Sequence, residues 1–254
     1  MSRKIKGKHY SISQLNLFSL CPLKYQYTYV DQLPYVPVYN LESGKALHSS
    51  LEANNNDLIQ GKPGMSDKQI IDNAVAVFEE ENKDRIEDAQ FELGEGKDAL
   101  VGDIKGPVEK FKRETEKDFI EQGIVAAEKS FELEIAGEKF VGFIDVETED
   151  VISDYKLLGR KKSMGAVNMD PQLVVYEHVA GKPGSFVQFI RKRPRAEVAM
   201  PVRPPRVARA IMAWVEVQIK NIEACKKSGA FHPVAPTNWI CGSCQFRYKC
   251  WAVK

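Results

Sequence analysis

The strongest constraint on the fold comes from residues 131–158, where three apolar runs follow one another with short polar breaks between them. In "FELEIAGEKFVGFIDVET" apolar and polar residues alternate on both sides of "AGEK", which is the pattern of two strands joined by a tight turn. The run "DVISDYKLL" supplies a third strand directly afterwards. We therefore expect the middle of the chain to form a sheet.

Helical patterns lie on both sides of these strands. Apolar residues recur at helical spacing in 67–82 and 99–122, and "LESGKALHSSLEANNNDLIQ" has a similar pattern, which predicts a mainly helical region of about 120 residues. After the strands we expect a helix over 171–180, a strand at "SFVQFIRKR" and a long helix over 204–227. The predicted fold class is α/β, with a small mixed sheet flanked by helices.

Length and charge limit the organisation of the chain and its partners. We expect a single domain over 1–254, with a mainly helical region at 1–122, an α/β core at 123–202 and a long helix with a Cys-rich tail at 203–254. The 36 basic and 35 acidic residues give a net charge of +1, so any polyanion site must arise from local clustering. No apolar run approaches the roughly 18 residues of a membrane span, and the N-terminus lacks a signal-peptide core. We expect a cytoplasmic protein without membrane contact.

Two aspartates and a lysine lie on strands that otherwise suit burial. If the strands pair around "ETED", Asp145 and Asp154 lie within reach of one cation, and Lys156 shares a face with Asp154 because side chains alternate along a strand. Two carboxylates can hold Mg²⁺ or Mn²⁺, while a lysine can orient a water and stabilise charge on a phosphoryl group. The alternative is a surface hairpin with an exposed Asp–Lys pair, since an isolated D-x-K is common.

Three further side chains accompany this triplet. Gln172 and Tyr176 are four residues apart in "DPQLVVYEHV", so they share one face of the predicted helix. His48 in "GKALHSSLE" could add an imidazole ligand. Each residue alone has a simpler explanation, a packed histidine or an ordinary amphipathic helix.

The order of these motifs resembles a known family. The series "GKALH", "GFID", "DYK" and "QLVVY" resembles the RecB-like branch of the PD-(D/E)xK nucleases, and "CPLKYQY" is similar to the N-terminal motif of that branch. The resemblance runs from about Ser11 to Trp251 and implies a restriction-endonuclease-like α/β core. Ile144 replaces the nominal proline, and Leu157 follows the lysine where a small hydroxyl residue is frequent.

The resemblance also implies roles for the site residues. His48, Asp145 and Asp154 would bind the metal together with the Tyr155 carbonyl, and Lys156 would assist the attacking water. Gln172 and Tyr176 would position the DNA backbone or the lysine. Glu128 on the preceding strand is a candidate accessory carboxylate, although we expect it to face solvent.

Five cysteines in a reducing compartment favour metal binding over disulfides. "CGSCQFRYKC" gives C-x2-C-x5-C at Cys241, Cys244 and Cys250, and Cys21 is the candidate fourth ligand. Four thiolates suit either zinc or an iron–sulfur cluster. One cysteine before the histidine motif and three after the core is similar to the iron–sulfur nucleases of the AddB and CRISPR-adaptation exonuclease type, which implies a structural [4Fe-4S] cluster, with Zn²⁺ as the alternative.

Basic residues cluster after two of the predicted strands, where they could contact phosphates or form an ordinary solvated surface. The alternating Tyr25, Tyr27 and Tyr29 could stack on bases or face the core. No base-reading motif is present, so we expect sequence-independent binding. The candidate DNA-binding residues are Arg160, Lys161, Lys162, Arg191, Lys192 and Arg193.

These features predict a metal-dependent DNA nuclease, an exonuclease on single-stranded ends. One alternative is a DNA-end-binding or recombination protein that depends on a partner for activity, because the chain has no helicase or P-loop segment. Another is a zinc-stabilised nucleic-acid-binding module. Repair, recombination, phage DNA processing and CRISPR adaptation all employ similar nucleases, so partners from these pathways remain open.

Overall fold

The computed structural model describes residues 7–34, 37–83 and 95–253. Parts of the predicted helical region, residues 1–6, 35–36 and 84–94, lie outside these ranges. Within them no helix combines the length and the apolar character needed to cross a lipid bilayer. The helices are α1 (Ile12–Leu20), α2 (Pro22–Tyr25), α3 (Tyr39–Ile59), α4 (Asp67–Asn82), α5 (Lys97–Arg113), α6 (Thr115–Glu121), α7 (Met164–Asn168), α8 (Pro171–Ala180) and α9 (Pro205–Ser228).

Five strands form one mixed sheet. They are β1 (Ile124–Ile135), β2 (Glu138–Thr148), β3 (Ile152–Leu158), β4 (Gly184–Ile190) and β5 (Arg195–Ala199), in the order β1-β2-β3-β4-β5. β3 pairs with β2 and β4 pairs with β5 in antiparallel fashion, whereas β3 and β4 are parallel. The parallel pair requires a crossover, which α7 and α8 provide. The predicted α/β fold class, a mixed sheet flanked by helices, is confirmed.

Local sequence signals explain several element boundaries. Ser66 caps α4 in a capping box with Gln69, and α8 begins with an Asp170 cap and Pro171 and ends at Gly181, which has a φ of 64°. Both helices have the predicted bounds. The sequence patterns did not reveal α7 or β5, and the helix predicted over 99–122 is two helices, since α5 ends before Glu114.

An aromatic cluster behind β3 fixes which face of that strand carries the site. The Tyr155 ring is almost completely buried, and its centroid lies 5.9 Å from those of Phe111 and Phe189. Because side chains alternate along a strand, this packing directs Asp154 and Lys156 to the opposite face.

The chain divides into two compact units. One comprises Met1–Val36, Phe131–Gly142 and Ala208–Lys254, and contains the four candidate cysteine ligands. The other comprises Pro37–Ser130 and Phe143–Val207, and contains the candidate catalytic residues. The single-domain organisation with its three predicted regions stays a prediction.

Candidate active site

Strands β2 and β3 bring two acidic side chains together. They pair around "ETED" as predicted, with Val146 opposite Ser153, and extending this register by one pair places Asp145 opposite Asp154. Opposite residues of an antiparallel pair project from the same face. Both are buried, with 7% of Asp145 and 2% of Asp154 exposed. Two buried carboxylates need compensating cations or protons, so their surroundings decide their chemistry.

Asp145 is compensated by a histidine and by a backbone amide. His48 on α3 places its Nδ1 3.2 Å from Asp145 Oδ2, and the Tyr155 backbone N–H donates to the same oxygen at 2.6 Å. Burial alone would lower the pKa of His48, but the charge of Asp145 and the hydrogen bond to it raise that pKa to about 9. Burial would raise the pKa of Asp145, yet the charge of His48 and its hydrogen bond lower it. These shifts favour an imidazolium paired with a carboxylate.

Asp154 is held by Lys156 and Gln172. Lys156 Nζ lies 2.6 Å from Asp154 Oδ2 and donates to Gln172 Oε1 at 2.9 Å. Gln172 Nε2 donates to Asp154 Oδ1 at 2.5 Å and to the Tyr176 hydroxyl at 2.9 Å. Gln172 therefore connects the lysine, the carboxylate and the tyrosine. Side chains from separate predicted motifs meet in one network.

The two carboxylates have opposite pKa shifts. Burial raises the pKa of Asp154 and the charge of Asp145 adds to this effect, while Lys156 opposes it. Burial would lower the pKa of Lys156, but the charges of Asp154 and Asp145 raise it. Neighbouring acids whose pKa values are moved apart can take different roles. The lowered pKa of Asp145 keeps this carboxylate ionised, and the ammonium of Lys156 stabilises the charged form of Asp154.

Glu128 also lies at this site. From the sequence we expect it to face solvent; in the structure it is half-buried beside His48 and Asp145, and one possible ligand atom of each lies within 4.8 Å of the others. Its φ is 47°, a left-handed conformation that is uncommon for a non-glycine residue. A residue of this kind within a strand is typical of a bulge, which re-aims side chains. No residue type in the sequence marks this conformation, so the pattern could not reveal it.

Comparison with known proteins identifies the family. A sequence model of the PD-(D/E)XK nuclease superfamily matches residues 9–251. The chain belongs to this superfamily. No curated protein matches this PD-(D/E)XK nuclease at a significant level.

Two solved structures are similar to this PD-(D/E)XK nuclease. The protein named "Putative exonuclease" from Eubacterium rectale aligns with a TM-score of 0.57 and 13% identity, covering 92% of this chain and 87% of that one. At this identity the likeness supports the fold alone. The protein SSO0001 aligns over 100% of this chain and 91% of its own with 14% identity, but its TM-score of 0.48 is too low to support an argument.

The donor set of this PD-(D/E)XK nuclease fits a divalent cation, the usual cofactor of the superfamily. Carboxylate oxygens suit Mg²⁺ and Mn²⁺, and an imidazole suits transition metals, which favours Mn²⁺ among the two. The predicted ligands were His48, Asp145 and Asp154 with the Tyr155 carbonyl. The structure groups the first two with Glu128, while Asp154 is engaged with Lys156.

The candidate DNA-binding residues have different environments. Arg160, Lys192 and Arg193 are exposed. Lys161 pairs with Glu197 at the surface, and the Lys162 Nζ lies 2.6 Å from Asp170 Oδ2.

Arg191 is engaged inside its own unit. Its guanidinium pairs with Asp103 at 2.5 Å, donates to the Ser43 hydroxyl at 2.8 Å and lies over the Tyr39 ring, and only 11% of the side chain is exposed. A phosphate contact would require breaking this network. The role of Arg191 in DNA binding stays a prediction, as do the roles of the exposed residues.

The four predicted cysteine ligands line one cavity in the first unit. Cys21 is buried and Cys241, Cys244 and Cys250 are half-buried, and Tyr27, Ile240 and Phe246 are among the apolar residues beside them. Burial raises the pKa of the Cys241 thiol, and the charges of the other three cysteines raise it further. Among the described residues, no three of these thiols lie within 4.8 Å of one another.

Proposed function

We propose that this chain is a metal-dependent deoxyribonuclease, an exonuclease that hydrolyses phosphodiester bonds at the ends of single-stranded DNA. The observation that carries the proposal is the buried pair Asp145 and Asp154 with Lys156 at hydrogen-bonding distance from the second carboxylate. An ion pair that only stabilised the fold would need one acid beside Lys156, not two. Two acids, a lysine and a histidine that meet at one site favour phosphoryl chemistry.

We propose His48, Asp145, Asp154 and the Tyr155 carbonyl as the ligands of Mg²⁺ or Mn²⁺, with Glu128 as an additional carboxylate. The bound cation would neutralise charge on the scissile phosphate and lower the pKa of the attacking water. The low pKa of Asp145 supports this ligand set, because an ionised carboxylate is the form that binds metal. His48 would have to lose its ring proton to bind through Nδ1, the atom now facing Asp145.

Lys156 is the proposed electrostatic partner of the reacting phosphate. Its pKa is raised, so it carries a positive charge at neutral pH and can stabilise the charge that develops in the transition state. Gln172 accepts a hydrogen bond from its ammonium and donates one to Asp154, which limits the positions that both groups can take. Tyr176 in turn accepts a hydrogen bond from Gln172. We propose these two residues as positioning residues, with the DNA backbone as their further contact.

Several observations agree with sequence-independent DNA binding and with exonuclease activity. No recognition helix or base-reading motif is evident in the sequence, which favours sequence-independent contacts with phosphates. Arg160, Lys192 and Arg193 are exposed and available for such contacts. The name of the similar protein from Eubacterium rectale agrees with exonuclease activity. The finer assignment to the AddB and CRISPR-adaptation type rests on the cysteine pattern.

We propose that the four cysteines bind a structural [4Fe-4S] cluster. All four thiols line one cavity, which supports a shared metal centre. Thiolate ligands alone suit zinc and iron–sulfur clusters equally. The cysteine order, which is similar to that of the iron–sulfur nucleases, is the reason for proposing the cluster rather than zinc.

The test is DNA cleavage by anaerobically purified protein. End-labelled single- and double-stranded DNA would be incubated with Mn²⁺, Mg²⁺ or chelator, with wild type beside Lys156→Ala and beside Lys68→Ala, whose lysine is 83% exposed on α4. We expect metal-dependent shortening of single strands by wild type and Lys68→Ala only. Cleavage by Lys156→Ala at the wild-type rate would refute the assigned site. DNA binding by wild type without cleavage would instead favour a partner-dependent protein.

A further inference from the structure

The Cys-rich tail, residues 229–253, exposes three large aromatic side chains. Trp239 is 76% exposed, Tyr248 is 71% exposed and Trp251 is 64% exposed. Aromatic rings of this size normally bury most of their surface, because each carries a large apolar area. Of the three tyrosines for which we considered base stacking from the sequence, Tyr25 and Tyr27 are buried and Tyr29 is 39% exposed. The exposed rings of the tail need another explanation.

The charge of the same segment has one sign. From residue 224 to the C-terminus the sequence contains no aspartate or glutamate, although the whole chain is almost neutral. Arg247 and Lys249 flank Tyr248 directly, and both are exposed. Alternating aromatic and basic side chains are the combination that binds unpaired nucleic acid, since the rings stack on bases and the cations contact the backbone.

The backbone beside these rings packs around the cavity of the cysteines. Ile240, Cys250 and Ala252, the immediate neighbours of the two tryptophans, line that cavity. The Tyr27 hydroxyl donates to the Lys249 carbonyl at 3.3 Å, and its ring packs edge-on against Phe246 with the centroids 5.4 Å apart. Rings on a packed backbone lose little conformational freedom when a ligand stacks on them.

We infer that the tail carries a binding surface for single-stranded DNA, on which bases stack against Trp239, Tyr248 and Trp251 while phosphates contact Arg247 and Lys249. The surface goes beyond the nuclease site, because none of its residues belongs to the catalytic network. A protein partner is the other occupant to consider, but the lack of any acidic residue and the flat π faces favour a polyanion with exposed bases.

The experiment measures binding without cleavage, in chelator. The chain has three tryptophans, so a Trp214→Phe variant reports only on Trp239 and Trp251. Titration with an oligothymidylate should quench its fluorescence, whereas an abasic oligonucleotide of equal length should bind more weakly and quench less, since it has phosphates without bases. In the otherwise wild-type chain, Trp239→Ala with Trp251→Ala should weaken oligothymidylate binding roughly fivefold or more per ring, and the matched pair Trp239→Phe with Trp251→Phe should retain most of it.

A second pair of substitutions tests the charges. Arg247→Ala with Lys249→Ala should leave quenching at saturation unchanged and reduce the slope of log K against log salt by about 1.4, which is two phosphate contacts on a single strand. Thermal unfolding of every variant would show whether the tail is intact. Equal binding of the abasic and thymidylate strands, or wild-type affinity in the alanine pair, would overturn the proposal.

The outcomes separate this proposal from the nuclease assignment. Cleavage that depends on Lys156 together with wild-type affinity in the alanine pair would retain the nuclease and reject the stacking surface. Ring-dependent binding by a protein that does not cleave would retain the surface and favour the partner-dependent protein over a nuclease that acts alone. Binding lost equally in the alanine and phenylalanine pairs, at unchanged unfolding temperature, would also reject stacking because a phenylalanine ring can still stack.

Discussion

Replacement of Gln172 by methionine should separate positioning of the lysine from the charges themselves. Methionine has a similar volume but no strong hydrogen-bonding group, so Gln172→Met leaves the chain path unchanged and removes the hydrogen bonds to Lys156, Asp154 and Tyr176. A hydrogen bond to a charged group contributes about 1.5–3 kcal/mol. If one such bond holds Lys156 and Asp154 in their reactive geometry, kcat/KM should fall about 10- to 150-fold.

Single-turnover cleavage of labelled single-stranded DNA at saturating Mn²⁺ is the assay. Saturating metal separates the rate of the chemical step from any change in metal affinity. Gln60→Met is the matched control, since Gln60 is an exposed residue at the end of α3, and it should cleave as wild type does. Tyr176→Phe removes only the hydroxyl that accepts from Gln172, so its loss should be smaller than that of Gln172→Met.

The reasoning fails if Gln172→Met cleaves within twofold of wild type while its fold is intact. Lys156 would then be held adequately by Asp154 alone, at 2.6 Å, and Gln172 would have no positioning role. A loss confined to KM for DNA would also contradict it, because a positioning residue for Lys156 acts on the transition state and should lower kcat.

Three further predictions concern stability, DNA affinity and metal affinity. Tyr155→Phe removes the hydroxyl that accepts a hydrogen bond from the buried Asn55 amide at 2.9 Å, so the free energy of unfolding in urea should fall by about 1–3 kcal/mol. Cleavage per folded molecule should be unchanged, and a large loss of activity would contradict a purely structural role of this hydroxyl. Arg191→Ala should destabilise the protein without changing its affinity for DNA, whereas Arg193→Ala should lower that affinity at unchanged stability. The reverse pattern would place Arg191 at the DNA. Glu128→Gln should weaken Mn²⁺ binding in calorimetry about 10-fold or more, and unchanged affinity would exclude Glu128 as a ligand or neighbour of the metal.

The sequence predicted those parts of the site that depend on local periodicity. Alternation along two strands was enough to place Asp154 and Lys156 on one face and to bring Asp145 opposite, because the register follows from a short turn. The helix that carries Gln172 and Tyr176 was predicted with its bounds, since Asp170, Pro171 and Gly181 mark its ends.

Other features depended on long-range packing and could not be predicted. The engagement of Arg191 with Asp103 joins residues 88 positions apart, and nothing in "RKRPR" distinguishes that arginine from its exposed neighbours. The left-handed φ of Glu128 would have been suggested by a glycine, but a glutamate gives no such signal. The exposure of Trp239 and Trp251 is likewise a tertiary result, because a tryptophan in a Cys-rich segment is as compatible with a core position as with a surface one.

The site contains two overlapping sets of possible metal ligands, one formed by Asp145 with His48 and Glu128 and the other by Asp145 with Asp154, and Asp145 matters most because it is in both. Its oxygen Oδ2 connects three elements, pairing with His48 from α3 and accepting from the Tyr155 amide of β3. Loss of the Asp145 charge would leave His48 without its anionic partner and would remove a ligand from both sets. Loss of Glu128 would remove a ligand from one set only. Asp145→Asn should therefore impair metal binding more severely than Glu128→Gln, whichever set holds the cation.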